Sequence, residues 1–142
     1  MPSTLTLGIV KPDAVATGKT GAIVAHLQKA GFTLRAARMV RLTRSQAAAF
    51  YAVHAGRPFY GELVDFMTSG PCLPMALERD DAVTQMRNTI GATDPAEAAP
   101  GTIRKLFAES KGRNAIHASD SDENALREGR FFFADGDVLA AR

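Results

Sequence analysis

Residues 5–10 read LTLGIV, which puts Leu5, Leu7 and Ile9 on one side of an extended segment and Val10 on the other. The pattern predicts a largely buried strand, stopped by Lys11-Pro12-Asp13. From Thr20 to Ala30 the apolar positions Ile23, Leu27 and Ala30 recur at helical spacing, and Gly31 suits the residue just past a helix end. FTLRAARMVRL alternates well enough for a second strand, with Phe32, Leu34 and Ala36 on one face. Thr43 and Gln46 have capping-box spacing, so a helix is expected to run to about His54. Phe59 to Met67 predicts a short helix with Leu63, Phe66 and Met67 as its apolar positions, ended by TSGP. CLPMALE predicts a third strand, in which Pro74 argues for an exposed edge or an irregularity. Asp80 and Asp81 then open a helix carrying Val83, Met86 and Ile90. Residues 91–114 read as a long connection with one short helix near Ile103 to Ala108. NAIH is extended, residues 121–128 form a short helix, and RFFF is a final strand or packed tail.

This order suits a split βαβ arrangement, an antiparallel sheet with helices on one face. The other face of such a sheet needs cover, which an oligomer interface could supply. The length favours one domain over residues 1–142. A net charge of +2, with the basic residues scattered, argues against a nucleic-acid partner. The single cysteine, Cys72, excludes an intrachain disulfide and makes no metal motif. No apolar run approaches a membrane span, and the start lacks the basic region of a signal peptide, so a cytoplasmic protein is expected.

One tempting motif fails. Gly18-Lys19-Thr20 resembles the end of a P-loop, but the required earlier glycine position holds Asp13. Lys11 is more informative, because a strand end beside a loop projects side chains into a cleft, where lysine can hold a phosphate; a plain surface lysine is the rival reading. Arg87 and Arg104 lie near helix ends and could make forked bonds to phosphate oxygens, although solvated arginine is the commoner use of each. Thr93 could donate a hydroxyl, and Tyr51 and Phe59 offer rings on which a base could stack, unless Phe59 is simply core.

The histidines His26, His54 and His117 lack metal-ligand spacing. His117 follows the apolar Ala115 and Ile116 and precedes Ser119-Asp120-Ser121, where Asp120 and Glu123 have capping-box spacing. It should therefore face a cleft at an element boundary. Glu128, one helix onward, could orient its ring and leave the other nitrogen's lone pair exposed, as a nucleophile or base requires. With Lys11, Arg57, Arg87, Arg104 and Asn114 as phosphate donors, transfer through a phosphohistidine is chemically sensible.

The segments LGIVKPDAV, GFTLRAARMVRLT, YAVHAGRPFYGELVDFMTSGP, MRNTIGATDPAEAAPGTIR and NAIHASDS closely resemble the nucleoside diphosphate kinase family, in its order and over essentially the whole chain. The resemblance implies a ferredoxin-like α/β fold with a four-stranded antiparallel sheet, and a homo-oligomer, tetramer or hexamer, built from dimers. It also implies Mg2+-dependent, ping-pong transfer of a γ-phosphate from ATP or another nucleoside triphosphate to a diphosphate, with broad base specificity. Carried over, His117 is the phosphorylated nucleophile. Lys11, Tyr51, Arg87, Thr93, Arg104 and Asn114 contact the phosphates, the sugar or the histidine, with Lys11, Tyr51 and Asn114 nearest the transferred group and the sugar. Phe59 stacks on the base, Ser119 and Glu128 hold the imidazole, and Arg57 is structural. No direct protein ligand to the metal is expected, the nucleotide phosphates carrying it. The chain departs from the family at Ala118, where glycine is usual, and at Lys105-Leu106, where Gly-Asp is usual. Alanine at 118 costs little only if that position needs neither a positive φ nor a bare contact.

Overall fold

The computed structural model describes residues 3–141; Met1, Pro2 and Arg142 of the expected 1–142 domain lie outside the described residues. Four strands, β1 (Leu5–Val10), β2 (Thr33–Ala37), β3 (Leu73–Glu78) and β4 (Ile116–Ala118), form one sheet in the order β2-β3-β1-β4. Every neighbouring pair is antiparallel. The helices are α1 (Pro12–Ala16), α2 (Thr20–Lys29), α3 (Arg44–Phe50), α4 (Tyr60–Met67), α5 (Ala82–Ile90), α6 (Ile103–Phe107), α7 (Asp122–Phe132) and α8 (Asp135–Ala140). None is long and apolar enough to cross a membrane.

The period-two pattern of β1 separates two cores. Leu7 and Ile9 point into a cluster with Phe50, Val64, Met67 and Phe132, from α3, α4 and α7. Val10 points the other way, into a cluster with Ile23, Leu27, Met86, Ile90 and Ile103, from α2, α5 and α6. Both faces of the sheet are thus covered by this chain's own helices. The expectation of helices on one face, with a partner covering the other, is corrected: the apolar positions of α3, α4, α7 and α8 already fill the second face.

Local chemistry sets most boundaries as expected. Thr43 and Gln46 form the capping box of α3, with Gln46 N–H to Thr43 Oγ1 at 3.1 Å and Thr43 N–H to Gln46 Oε1 at 2.9 Å. That helix ends at Phe50, and the remaining residues to His54 make a 3-10 turn, Ala52–His54. Gly31 takes φ +97° after α2, and the Phe32 N–H reaches back to the Leu27 carbonyl.

Two expectations need refining and two fail. Lys11-Pro12-Asp13 stops β1 after Val10 as expected, and Pro12 at the first position of α1 also starts a helix. Of the two readings of Pro74, the edge fails, because β3 lies inside the sheet, and the irregularity holds. Pro74 sits in a gap of the β2–β3 ladder, between the Ala37–Met75 pair and the isolated Val40–Cys72 bridge, where no N–H is required. The face shared by Phe32, Leu34 and Ala36 does not exist. The register shifts between Leu34 and Ala36, and the extra residue sends Phe32 and Leu34 to one core and Ala36 to the other. RFFF is neither strand nor tail, since α7 continues through Phe132.

Candidate active site

β1 and β4 place the candidate histidine. Ile9 lies opposite His117 in the ladder, so the histidine shares Ile9's side of the sheet, toward α3 and α7. The Phe50 ring meets the imidazole edge to face at 5.4 Å, and the Tyr51 ring does so at 5.9 Å. α7 turns Ala125, Glu128 and Phe132 inward, which puts one carboxylate on an otherwise apolar face. Glu128 Oε1 lies 2.5 Å from His117 Nε2 and accepts the Ser119 hydroxyl at 2.9 Å. Arg127 stands 3.7 Å from its other oxygen.

A carboxylate can only accept, so the neutral imidazole donates from Nε2–H and its lone pair resides on Nδ1. Burial lowers the His117 pKa below its usual value, and the Glu128 hydrogen bond opposes that shift without reversing it. At neutral pH the ring is therefore unprotonated. Its side chain keeps 18% of its surface, so Nδ1 belongs to a ring that solvent or ligand can still reach.

Lys11 lies just past β1, and its Nζ donates to Asn114 Oδ1 at 2.8 Å, while the Asn114 amide donates to the Thr93 carbonyl at 3.3 Å. Arg104 is buried, its guanidinium donating to the Gly91 carbonyl at 3.1 Å and the Ile116 carbonyl at 2.8 Å. Burial, and then the charge of Arg104, bring Lys11 down to about 8, with Asp13 acting in the opposite sense. Burial, and then Arg87, bring Arg104 to about 10. Each is still charged at neutral pH. Arg104 thus has a cation on either hand, Lys11 and Arg87, and such a grouping favours an anion in electrostatic terms. Three of the four buried, unpartnered side-chain polar atoms among the described residues also lie here: Tyr51 Oη, Arg104 Nε and Asp13 Oδ1. Burial holds the Tyr51 phenol protonated by raising its pKa, so it can only be a neutral hydroxyl.

Phe59 is not core. It is 47% exposed, and its ring leans on His54 at 5.2 Å, which in turn stacks on Tyr51 at 6.4 Å. A row of rings thus leads from the surface to His117. Arg87 and Thr93 are exposed at the mouth of this region, and Arg57 is exposed in the turn before α4. Lys19, of the failed P-loop motif, is tied instead to the Phe107 carbonyl at 3.0 Å.

Two expectations near the histidine are corrected. Ser121, not Asp120, caps α7, bonding the Asn124 N–H at 3.1 Å, because the helix starts one residue later; Asp120 bonds the Asn124 side chain. The residue with special backbone geometry is not Ala118. Ala118 lies in β4 opposite Gly8 and is buried in the core, while Ala115 carries φ +73°. The Ile116 N–H bonds the Asn114 carbonyl at 2.9 Å, making a γ-turn centred on Ala115 in its rare positive-φ form. Such a residue is strained by about 1–3 kcal/mol. Sequence reasoning missed Ala115, Phe50 and Asp13. For Asp13 a signal existed, since proline followed by an acidic residue after a strand reads as a helix start.

The sequence model of the family described as nucleoside diphosphate kinase matches residues 4–138. A nucleoside diphosphate kinase of Chlorobaculum parvum is 58% identical over 134 residues, covering 94% of this chain and 96% of that one. The solved nucleoside diphosphate kinase of Aquifex aeolicus superposes with a TM-score of 0.91 at 47% identity, over 94% of this chain and 96% of that one. A halophilic nucleoside diphosphate kinase of Halobacterium salinarum, solved in complex with CDP, gives 0.88 at 40% identity, over 94% and 89%. Sequence and fold agree, and the chain belongs to the nucleoside diphosphate kinase family.

Proposed function

We propose that this protein is a nucleoside diphosphate kinase that works through a phosphohistidine at His117. The observation that carries the reading is the imidazole held from Nε2 by Glu128, which leaves the lone pair on Nδ1 of a ring that feels the charges of Lys11 and Arg104. The donor nucleotide stacks its base on Phe59, which contacts a π-face and reads no base edge, so base preference is broad. Its phosphates lie among Lys11, Arg87 and Arg104, with the Thr93 and Tyr51 hydroxyls and the Asn114 amide completing the contacts to phosphate and sugar.

Nδ1 attacks the γ-phosphorus in line. The N–P bond forms as the P–O bond to the diphosphate breaks, and the diphosphate leaves with the bonding pair. Glu128 and Ser119 hold the ring and stabilise the positive charge it gains. The cations offset charge spread over the equatorial oxygens, and Lys11 and Arg104 are already held by hydrogen bonds before the substrate arrives. A second nucleoside diphosphate then attacks the phosphohistidine in reverse. Mg2+ neutralises phosphate charge when bound. Hard phosphate oxygens suit it.

The same family supports a homo-oligomer built from dimers, tetrameric or hexameric, and a cytoplasmic location; a mass measurement decides the assembly. The chemistry is tested by mixing the protein with ATP and Mg2+ alone. An acid-labile, base-stable phosphate should appear on wild type and not on His117→Ala, and adding a second nucleoside diphosphate should discharge it. A His117→Ala protein that still transfers phosphate would sink the proposal.

A further inference from the structure

Asp13 is a buried carboxylate, 4% exposed, outside the residues assigned to phosphate, sugar or base. Its Oδ2 accepts the Ala115 N–H at 3.1 Å. The Ala115 carbonyl in turn accepts the Lys11 N–H at 2.9 Å. Both backbone polar groups of Ala115 are therefore clasped by the chain leaving β1. Ala115 is also the residue forced to φ +73°, at the centre of the Asn114–Ile116 turn. Asn114 and His117 stand on either side of that turn, and Asn114 is bonded to Lys11. A strained backbone persists only where its surroundings over-determine it.

We propose that Asp13 is a positioning residue for phosphoryl transfer: it locks the Ala115 turn and counter-charges Lys11, so that Lys11, Asn114 and His117 meet in one arrangement. The inference rests on the phosphotransfer reading above. Lys11 faces Arg104 from α6, His117 from β4, the Asn114 amide and Asp13 from α1; Asp13 is the anion that acts to keep it charged. Arg113 is a second cation within the field of Asp13.

Two variants separate the two roles. Asp13→Asn keeps an acceptor for the Ala115 N–H and removes the charge. Lys11, already lowered to about 8, should then lose its proton at lower pH, moving the alkaline limb of kcat/KM down by about 0.5–1 pH unit. A merely structural aspartate would not move that limb. Asp13→Ala also removes the clasp, and kcat should fall by about tenfold as the turn relaxes. Adding Ala115→Gly to Asp13→Ala should restore part of kcat, because glycine takes a positive φ without the clasp. An active wild type beside an Asp13→Asn protein with an unmoved alkaline limb overturns the inference, and this variant decides alone if the alanine protein does not fold. A wild type with no transfer at all sinks the phosphotransfer reading instead.

Discussion

Gly91→Ala tests how the Arg104 anchor is built. Gly91 follows α5 with φ +87° and ψ −179°, a backbone region essentially reserved for glycine. Its carbonyl holds one arm of Arg104 at 3.1 Å. A Cβ placed there would lie 2.6 Å from Thr102 Oγ1, 2.7 Å from its Cβ and 3.1 Å from its Cγ2. Thr102 cannot swing away freely, since it is 8% exposed and β-branched, and its hydroxyl accepts the Lys105 N–H and donates to the Ala99 carbonyl at 2.7 Å. The backbone costs about 1–3 kcal/mol and the overlap a further 1–3 kcal/mol. For a chain of this size the sum corresponds to a Tm lower by about 5–20 °C. Differential scanning calorimetry at fixed protein concentration measures it, with transfer activity followed in parallel, because displacing the Gly91 carbonyl also frees that arm of Arg104. Gly21→Ala is the control: Gly21 lies inside α2 with nothing within 4 Å of the new methyl, and alanine there should be neutral or stabilising by up to about 1 kcal/mol. A Gly91→Ala protein melting within about 2 °C of wild type would refute the steric reasoning.

Glu128→Gln keeps the shape of the side chain but replaces charge-assisted bonds by neutral ones, a loss of about 1–2 kcal/mol. Its amide can also donate to Nε2 and move the lone pair away from Nδ1. Phosphohistidine formation in rapid-quench experiments should slow by about 5- to 30-fold, and an unchanged rate would contradict the assigned tautomer. Phe59→Ala removes the exposed ring while leaving the cations in place. Nucleotide KM should rise by about 5- to 100-fold with little change in kcat, since a stacked base contributes about 1–3 kcal/mol. Equal KM values for the two proteins would place the base elsewhere.

The elements were legible wherever local chemistry fixes them. The alternation of LTLGIV, the Thr43–Gln46 box and Gly31 past α2 all act within a few residues, and all stand in the structure. Failures came where a distant segment decides. Pro74 in CLPMALE left an edge and an irregularity open, because the break that decides lies in the partner β2, and nothing in FTLRAARMVRL marks the extra residue that splits Leu34 from Ala36. RFFF has the composition of a strand, yet it completes α7, whose Phe132 packs on Phe50. The site was legible as a set of residue types matching a family pattern. Its order in space was not, because Lys11 and Asn114 meet across 103 positions and Asp13 and Ala115 across 102.

By itself the sequence determined which chemistry was available: an imidazole with a carboxylate one helix away, several cations and no metal motif, arranged in a family's order. Those are properties of side chains and need no coordinates. Only the tertiary structure decided which nitrogen of His117 is free, because that depends on where Glu128 arrives. It also moved the backbone question from Ala118 to Ala115. Residue type suggests where glycine would be comfortable, but φ is set by the two chain segments that close on a residue, here the end of β1 and the start of β4.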